Sequence, residues 1–562
     1  MKKLVLYFFL LFPFLIFSQE KIFYNAKIFT ANRNAPFAEA IAIKGKKIVA
    51  VGNFAEVIST VSANAERTDL HGRFLMPGFV DSHNHAIKGG AALTKPNVDD
   101  QDFSIKELET FVKNEVGDKN KWSGDVMVVY GLNINSWSHL NEIIEIFNKN
   151  EFSSLPLVLR GSDGHTAWCN KVMAVKAGFD QKYFASLSKE EKQFYGFNGE
   201  VFNGFVSEDA FKKIIAILPA AINYKLAAEK AMEYNNRLGI TAWLDPSAGY
   251  IDQTSQDILN AYQYLISSDK LSAHISATLI ANANKDPASQ IKELRQFQKK
   301  YTANNFDIIG FKIFADGVIE HPTHTAALSL PYTGTNSKGV LMFEPEKFAS
   351  FAIAADKEDL LVHVHAIGDR AVTETLNGFE KMRTVNKNKS IPHTITHLQI
   401  VQPSDFDRFK KLNVLASYQL LWAFGDVTTV DIVKPYVHSS LYKWQYPARS
   451  MLQAGAIICG ASDWPVSSAD PLAAISRAET REGPLGVLDS SQRVPRLEMM
   501  YAYTINAAKA LRKENIIGSL EPGKSADMIL MDNDILTGLS VDVEKTKVVW
   551  TMFEGKIVYQ VK

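Results

Sequence analysis

Apolar and polar residues alternate in short runs at both ends of the chain. These runs fill residues 22–75 and return in residues 515–562, with glycines between them. Alternation with a period of two, broken at glycine, is typical of β-strands joined by turns. We predict one composite β-sandwich domain built from both termini, residues 19–75 and 512–562. Two unrelated β caps are the alternative.

The middle of the chain alternates apolar, strand-like runs with helical stretches. Eight strands are predicted there: Phe79–His85, Gly239–Asp245, His274–Leu279, Ile308–Ala315, Leu361–His365, His393–Leu398, Val414–Gln419 and Ala456–Asp463. Helices are predicted between many of them, at 221–238, 287–300, 346–358 and 369–384. Eight βα units are the signature of a (β/α)8 TIM barrel. The predicted fold class is therefore α/β, with the barrel in residues 76–511.

A long insertion follows the first predicted strand, at about residues 95–230. It contains helical segments at 104–116 and 207–217, separated by loops rich in glycine, asparagine and aromatic residues. Connections in compact domains are usually about 2–6 residues long. Such an excursion from a barrel is usually a lid or a substrate wall, and we predict this role here.

The first residues have the pattern of a secretory signal. Lys2 and Lys3 precede an apolar run from Leu4 to Phe17, and Ser18 offers a cleavage point. The run is short for a membrane span but suits a signal peptide. We predict a signal in residues 1–18 and a secreted or periplasmic protein without membrane attachment after cleavage. An uncleaved anchor is the alternative.

Composition narrows the remaining classes. Of the 562 residues, 46% are hydrophobic and 22% are charged, which excludes a disordered or multi-spanning membrane protein. The 61 basic residues balance the 61 acidic ones, so no nucleic-acid partner is expected. The two cysteines exclude a disulfide scaffold and a four-cysteine zinc site.

Two histidines close the first predicted barrel strand. His83 and His85 are two residues apart, so on a strand both point to the same side, where two imidazoles make a pair of metal ligands. Asp81 would point the same way and could orient one of them. Taken alone, this HxH pattern is a weak signal.

Polar residues recur at the same end of later predicted strands. They are Lys312, His365, His397 and Asp463. Each has an ordinary structural interpretation: an ion-paired lysine, core histidines, a helix-capping aspartate. Together they mark the end of the barrel where such enzymes carry their chemistry. A lysine inside an apolar strand is also costly unless it is paired or modified.

At this point the chain resembles the amidohydrolase superfamily, and within it amidohydrolase family 3, the branch of the N-substituted formamide deformylases. The segments LMPGFVDSHNH, DGHTAWCNK, GFKIFADG, HAIGDRAV, ASDWPV, YTINAAKAL and GSLEPGKSADMIL carry the resemblance. It covers about residues 22–558 and implies a distorted (β/α)8 barrel beside the β domain.

The resemblance implies a ligand set for a divalent metal, zinc or a similar ion, with one or two ions per chain. His83 and His85 would bind the first ion, and His365 and His397 the second. Lys312, carboxylated by carbon dioxide, would bridge them as a carbamate. Asp463 would contact the first ion and carry the proton.

Three further features bear on the substrate. His165 matches a substrate-side histidine motif of the branch, with a lid-packing residue as the alternative. Thr396 stands where the branch usually has glutamate, and we expect it to point away from the metal. His324 stands where the branch often has arginine, so a bidentate anion clamp would be lost. His324 and His321 could also form a weak extra site, although a polar loop is favoured.

The predicted function is C–N bond hydrolysis of a small-molecule amide, N-substituted formamide or cyclic amide by metal-activated hydroxide. Aromatic residues of the insertion, Trp137 and Trp168 among them, could line the pocket or form the insertion's own core. Hydrolysis of an ester, lactone or carbamate at the same site is one alternative. A catalytically weak regulatory or binding protein is another. A homodimer is expected from family analogy alone.

Overall fold

The computed structural model describes residues 20–98, 100–117, 119–218, 222–253 and 256–561. The predicted signal peptide, residues 1–18, lies outside these ranges. None of the helices they contain combines the length and the apolar character needed to cross a bilayer.

The described residues include a sheet of eight parallel strands that are neighbours in chain order. These barrel strands, numbered one to eight, are Phe79–Asp81, Ile240–Asp245, His274–Ile280, Phe306–Phe314, Leu361–Ala366, His393–His397, Val414–Tyr418 and Ile457–Gly460. The backbone N–H of Ser82 donates to the carbonyl of Gly460 at 3.0 Å, which joins the first strand to the eighth. The predicted (β/α)8 fold is confirmed, although the first strand ends before the two histidines.

Helices follow the barrel strands and cover the outside of the sheet. The longer ones are Ala86–Leu93, Tyr224–Arg237, Asp257–Ser267, Pro287–Tyr301, Pro345–Lys357, Asp369–Asn386, Phe406–Leu412 and Pro471–Thr480. Shorter helices are Ser439–Tyr442, Ala448–Gln453, Arg496–Tyr501 and Ala507–Ala510, with π-helical turns at Val427–Val433 and Ala502–Asn506 and 3-10 turns at Pro403–Asp405, Leu420–Trp422 and Ser490–Gln492. Aspartate caps and first-turn prolines begin two of these helices, at Asp286–Pro287 and Asp470–Pro471. The first of the two lies where the sequence predicts a helix, at 287–300.

The β domain is a sandwich of two sheets. One sheet has the order Lys47–Gly52, Ala40–Lys44, Glu20–Tyr24, Glu66–Asp69. The other has the order Lys556–Gln560, Val548–Phe553, Met528–Met531, Phe74–Pro77, Lys27–Phe29, Phe37–Ala38. Leu75 pairs with Leu530 in that second sheet, so strands from both termini share it, as predicted. Phe23, Ile41, Leu75, Leu530 and Trp550 meet in the core between the layers. The short helices Phe54–Ile58 and Ser540–Lys545 lie in the same terminal segments.

The insertion folds around a sheet of its own. Its strands have the order Tyr195–Asn198, Val201–Ser207, Thr166–Cys169, Leu157–Gly161, Met127–Leu132. Its helices are Ile105–Val116, Leu140–Phe147, Lys171–Lys176, Gln181–Ser186, Lys189–Lys192 and Glu208–Ile217, with 3-10 turns at Lys119–Lys121, Ile134–His139 and Asn150–Ser154. Separate apolar clusters lie on the two faces of the sheet, for example around Val129 and around Val128. The insertion is therefore a packed unit rather than a loop.

Candidate metal centre

Two histidines that follow the first strand meet an aspartate that follows the eighth. The Nε2 atoms of His83 and His85 lie 3.2 and 3.1 Å from Oδ1 of Asp463. All three side chains are largely buried. The backbone N–H of Asp463 donates to the carbonyl of His83 at 2.8 Å, so the two segments are held together directly.

Asp81 does not point toward the histidine rings, contrary to our expectation. The strand ends at this residue and the chain bends, so period-two alternation does not extend to His83. The carboxylate instead accepts hydrogen bonds from the backbone N–H groups of His83 and Ser462, from the Ser462 hydroxyl and from the Asn84 amide. Asp81 therefore fixes the backbone that carries the ligands.

His397 reaches the same centre from the sixth strand through an unusual backbone. Its φ is 75°, in the left-handed region, as is that of Asp463 at 58°. Such conformations are uncommon outside glycine and cluster at functional sites. Because the turn breaks the alternation, Thr396 also faces the barrel interior, where its hydroxyl lies 3.4 Å from that of Ser417. Our expectation that Thr396 points away from the metal is therefore wrong.

Lys312 lies on the fourth strand and is 1% exposed. Burial, together with the positive charge of Lys88, lowers its pKa to about 7 against the opposing effect of Asp463. Its Nζ lies 5.2 Å from the centre of the Phe314 ring. The structure thus provides a buried amine that is substantially uncharged near neutral pH.

His365 lies at the end of the fifth strand, where it pairs in register with Phe314 on the fourth. Its ring centre is 4.5 Å from that of His397. Its Nε2 donates to the carbonyl of Gly317 at 3.0 Å, which leaves Nδ1 with its lone pair. The carboxylate of Asp316 accepts N–H bonds from Ile367, Gly368 and Ala327, so the loops after strands four and five are tied together beside His365.

These donors fit a divalent metal. One ligand atom from each of His83, His397 and Asp463 lies within 4.8 Å of the others. The Oδ1 atom of Asp463 is buried and receives no hydrogen bond, which is costly for a carboxylate oxygen. Ligand atoms about 2.0–2.1 Å from a tetrahedral zinc are about 3.3 Å apart, close to the separations of Asp463 from His83 and His85.

Burial also sets the charge states required for metal binding. It lowers the pKa values of His83 and His397 well below the ordinary value, with Lys312 contributing at His83 and His365 at His397. Burial alone would raise the pKa of Asp463, but His85, His397 and Lys312 hold it below its usual range. The histidines are therefore neutral and the aspartate is ionised, as metal ligands must be.

The Nδ1 atoms of the candidate ligands from strands one and six contact buried polar partners that the sequence did not reveal. His85 Nδ1 lies 2.8 Å from the hydroxyl of Ser247, which also accepts from Lys88 at 2.9 Å. His397 Nδ1 donates to Oε1 of Gln419 at 3.1 Å. His83 Nδ1 lies 2.8 Å from Nε2 of His363. These partners depend on the register between strands, which no single motif shows.

His165 lies in the insertion, with a side chain that is 51% exposed. Its Nδ1 is 3.2 Å from a carboxylate oxygen of Glu208, and this bond raises the pKa of His165. Weaker electrostatic interactions also act here: Glu320 raises the pKa of His165, and His165 lowers the pKa of His365. The structure does not bring His165 into the cluster of metal ligands.

The other residues that were predicted to contact the substrate lie in different environments. Trp168 is fully buried, with 0% of its surface exposed, and its indole N–H donates to the carbonyl of Asn203 at 2.9 Å. This placement does not agree with a substrate contact and matches the alternative, an insertion core. Trp137 is half-buried and donates to Thr166 at 3.0 Å.

His324 stacks on Tyr332, with ring centres 4.4 Å apart, and its buried Nε2 has no hydrogen-bond partner among the described residues.

Comparison with known proteins assigns the chain to a family. The amidohydrolase family model matches residues 66–559, which include all of the barrel strands. The chain belongs to the amidohydrolase family. This amidohydrolase is therefore an enzyme of the metal-dependent hydrolase class, and the resemblance carried by its sequence motifs is confirmed.

Three proteins similar to this amidohydrolase match it over most of its length. It is 28% identical to Protein LONG AFTER FAR-RED 3 of Arabidopsis thaliana over 95% of this chain and 91% of that protein. It is 23% identical to an N-substituted formamide deformylase of Arthrobacter pascens over 95% and 97% of the two chains. The crystal structure of a metal-dependent hydrolase from Pyrococcus furiosus superposes with a TM-score of 0.69, at 25% identity, over 92% of this chain and 100% of that one.

Proposed function

We propose that this amidohydrolase is an exported hydrolase that cleaves a C–N bond in an amide, an N-substituted formamide or a cyclic amide. The observation that carries the proposal is the unsatisfied Oδ1 of Asp463, buried against the Nε2 atoms of His83 and His85. An ionised oxygen beside two neutral imidazoles is suited to a bound cation. The similarity to an N-substituted formamide deformylase supports the C–N bond as the target.

His83, His85 and Asp463 would hold one zinc or similar ion, and His365 and His397 a second. Lys312 would join the two ions as a carbamate. Its pKa of about 7 supports this role, because only an uncharged amine adds carbon dioxide. The negative charge that the lysine acquires would also remove the cost of burying an ammonium group beside a metal.

A divalent ion bound there supplies a water acidified to a pKa of about 7. Asp463 is ionised in the structure, so it can take a proton from that water and return it to the leaving nitrogen. His165 would donate a hydrogen bond to the substrate carbonyl oxygen from the insertion side. The half-buried ring of Trp137 would contact the apolar part of the substrate.

Two other functions use the same residues. Hydrolysis of an ester, lactone or carbamate needs the same water and the same proton carrier. A regulatory role is supported by the similarity to an exoenzymes regulatory protein of Pectobacterium carotovorum. The complete set of ligand residues in this chain supports catalysis over a purely regulatory role.

Metal content per chain tests the proposal. The protein would be purified without chelator and with bicarbonate, and its metal content measured by elemental analysis. About two equivalents would support the paired site, and about one would retain the hydrolase without the bridge. No metal after addition of zinc would contradict the proposal. Rates on matched amide and ester substrates would then separate the first two functions.

The location and assembly of the protein are parts of the same proposal. The apolar N-terminal run supports export to the periplasm or the medium. Fractionation of cells, with the mature N-terminus sequenced, would test it. Light scattering of the purified protein would test the expected homodimer.

A further inference from the structure

The fifth strand carries a second histidine, His363, next to the candidate metal centre. His363 is fully buried, and it pairs in register with Lys312 on one side and with Thr394 on the other. Its Nε2 lies 2.8 Å from Nδ1 of His83, and its Nδ1 contacts the hydroxyl of Thr394. His363 therefore connects a metal-facing ring to the wall of the barrel.

The order of these contacts fixes where the protons lie. A contact of 2.8 Å between two imidazole nitrogens requires one nitrogen to donate its proton and the other to accept with its lone pair. Nε2 of His83 faces Asp463 at 3.2 Å and must keep its lone pair to bind a metal. Its proton is then on Nδ1 and donates to Nε2 of His363. His363 in turn carries its proton on Nδ1 and donates to Thr394.

We infer that His363 is a positioning residue that holds His83 in the Nδ1–H form and aims its Nε2 at the metal. The inference rests on the proposed function and deepens it. Partners of this kind fix the tautomer and orientation of a ligand ring and raise its basicity. A neutral imidazole serves here where a carboxylate or a carbonyl is more usual, because it supplies an acceptor without adding charge beside Lys312.

A buried histidine can also be merely structural, and the same barrel contains one. His393 is fully buried at the start of the sixth strand, where its Nε2 lies 3.1 Å from Asp356 and its Nδ1 accepts from the N–H of Val362. It has no contact with the candidate ligands in the described structure. His393→Gln is therefore the matched control for a change at His363.

The test is zinc affinity, measured by competition with a fluorescent chelator on full-length protein. We expect His363→Leu to weaken zinc binding by about 10–100-fold. His363→Gln should recover most of that loss, because its Oε1 can accept from His83 and its amide can donate to Thr394. His393→Gln should lower the unfolding temperature and leave zinc affinity unchanged.

If His363→Leu does not fold, nitrogen NMR of histidine-labelled wild-type protein decides the question. We expect the Nδ1 of His83 to carry the proton and to show coupling to the ring of His363. Protonation at Nε2 of His83 in the zinc-loaded protein would overturn the inference. So would a folded His363→Leu that binds zinc as tightly as the wild type, in which case the proposed function would survive. A wild type that binds no zinc would overturn both.

Discussion

Gly90 lies against the backbone carbonyl of Ala227, so close that a Cβ at Gly90 would be 1.9 Å from that oxygen. Gly89 makes a similar approach to the ring of Trp464, where a Cβ would be 2.4 Å away. The backbone carbonyl of Trp464 also accepts a hydrogen bond from the backbone N–H of His85 at 2.9 Å. The paired glycines thus allow the helix that follows His85 to pack closely against Ala227 and Trp464. This packing positions His85 at the candidate metal centre.

Gly90→Ala should therefore destabilise the protein. The added methyl meets backbone rather than a flexible side chain, so the two helices must separate, at a cost of about 1–3 kcal/mol. Urea unfolding would measure the change. Gly117→Ala is the control, because that residue has a helical φ of −69° and no atom within 4 Å of the added Cβ. A Gly90→Ala protein as stable as the control would contradict the close approach.

Asp463→Asn should abolish turnover while metal content stays near normal. The amide keeps an oxygen that can bind a cation, but it cannot accept the proton from water. Loss of a general base lowers rates by about 10²–10⁴-fold. Turnover and metal content would be measured on the same sample. Full activity in this variant would show that another group carries the proton.

Lys312→Ala should reduce the metal content from about two equivalents toward one or none. The methyl side chain cannot form a carbamate, so the bridge between the two ions would be lost. The wild type should in turn lose metal and activity when it is reconstituted without bicarbonate. Elemental analysis and activity in both conditions would check this. Equal metal content in wild type and variant would show that Lys312 takes no part in metal binding.

His393 should make the free energy of unfolding depend on pH. Burial lowers its pKa in the folded protein to about 4, while its unfolded value is near 6.5. The unfolded state therefore binds the extra proton first, and stability falls as the pH drops below 6.5 toward 4. Between pH 7 and 5 the loss from this residue is about 2 kcal/mol. His393→Gln should show a correspondingly smaller loss in urea unfolding at the two pH values.

His165→Gln should lower kcat/KM by about 10²–10³-fold without changing the metal content. The ring is outside the ligand cluster, so its loss would remove a donor to the substrate and leave the ions in place. Its pKa is raised by Glu208, so the donor persists to a higher pH than for a free histidine. Unchanged kinetics would identify His165 as a residue that only packs the insertion against Glu208.

Much of the fold was accessible from sequence because apolar runs predict strands directly. All of the predicted barrel strands are present, and the helix at 104–116 was placed to within a residue. The errors lie where backbone conformation departs from regular structure. Asp81 and Thr396 were assigned the wrong direction because a bend and a left-handed residue interrupt the alternation on which the prediction depended.

The hydrogen-bond partners of the candidate ligands could not be predicted from a single sequence, for a different reason. His363 was not predicted as a site residue, and Gln419 and Ser247 had no signal at all. Each acquires its role through pairing with a residue far away in the chain, as His363 does with His83. Trp168 could not be separated from Trp137, since a buried aromatic and a pocket aromatic have the same local pattern.

The sheet shared by the two termini has a consequence for synthesis. Phe74–Pro77 pairs on one side with Lys27–Phe29 and on the other with Met528–Met531. The early strands leave the ribosome hundreds of residues before their last partners, so the sandwich is completed only after translation of the whole barrel. A chain that stops before Met528 would keep its metal ligands but expose an open sheet edge, and we expect it to aggregate.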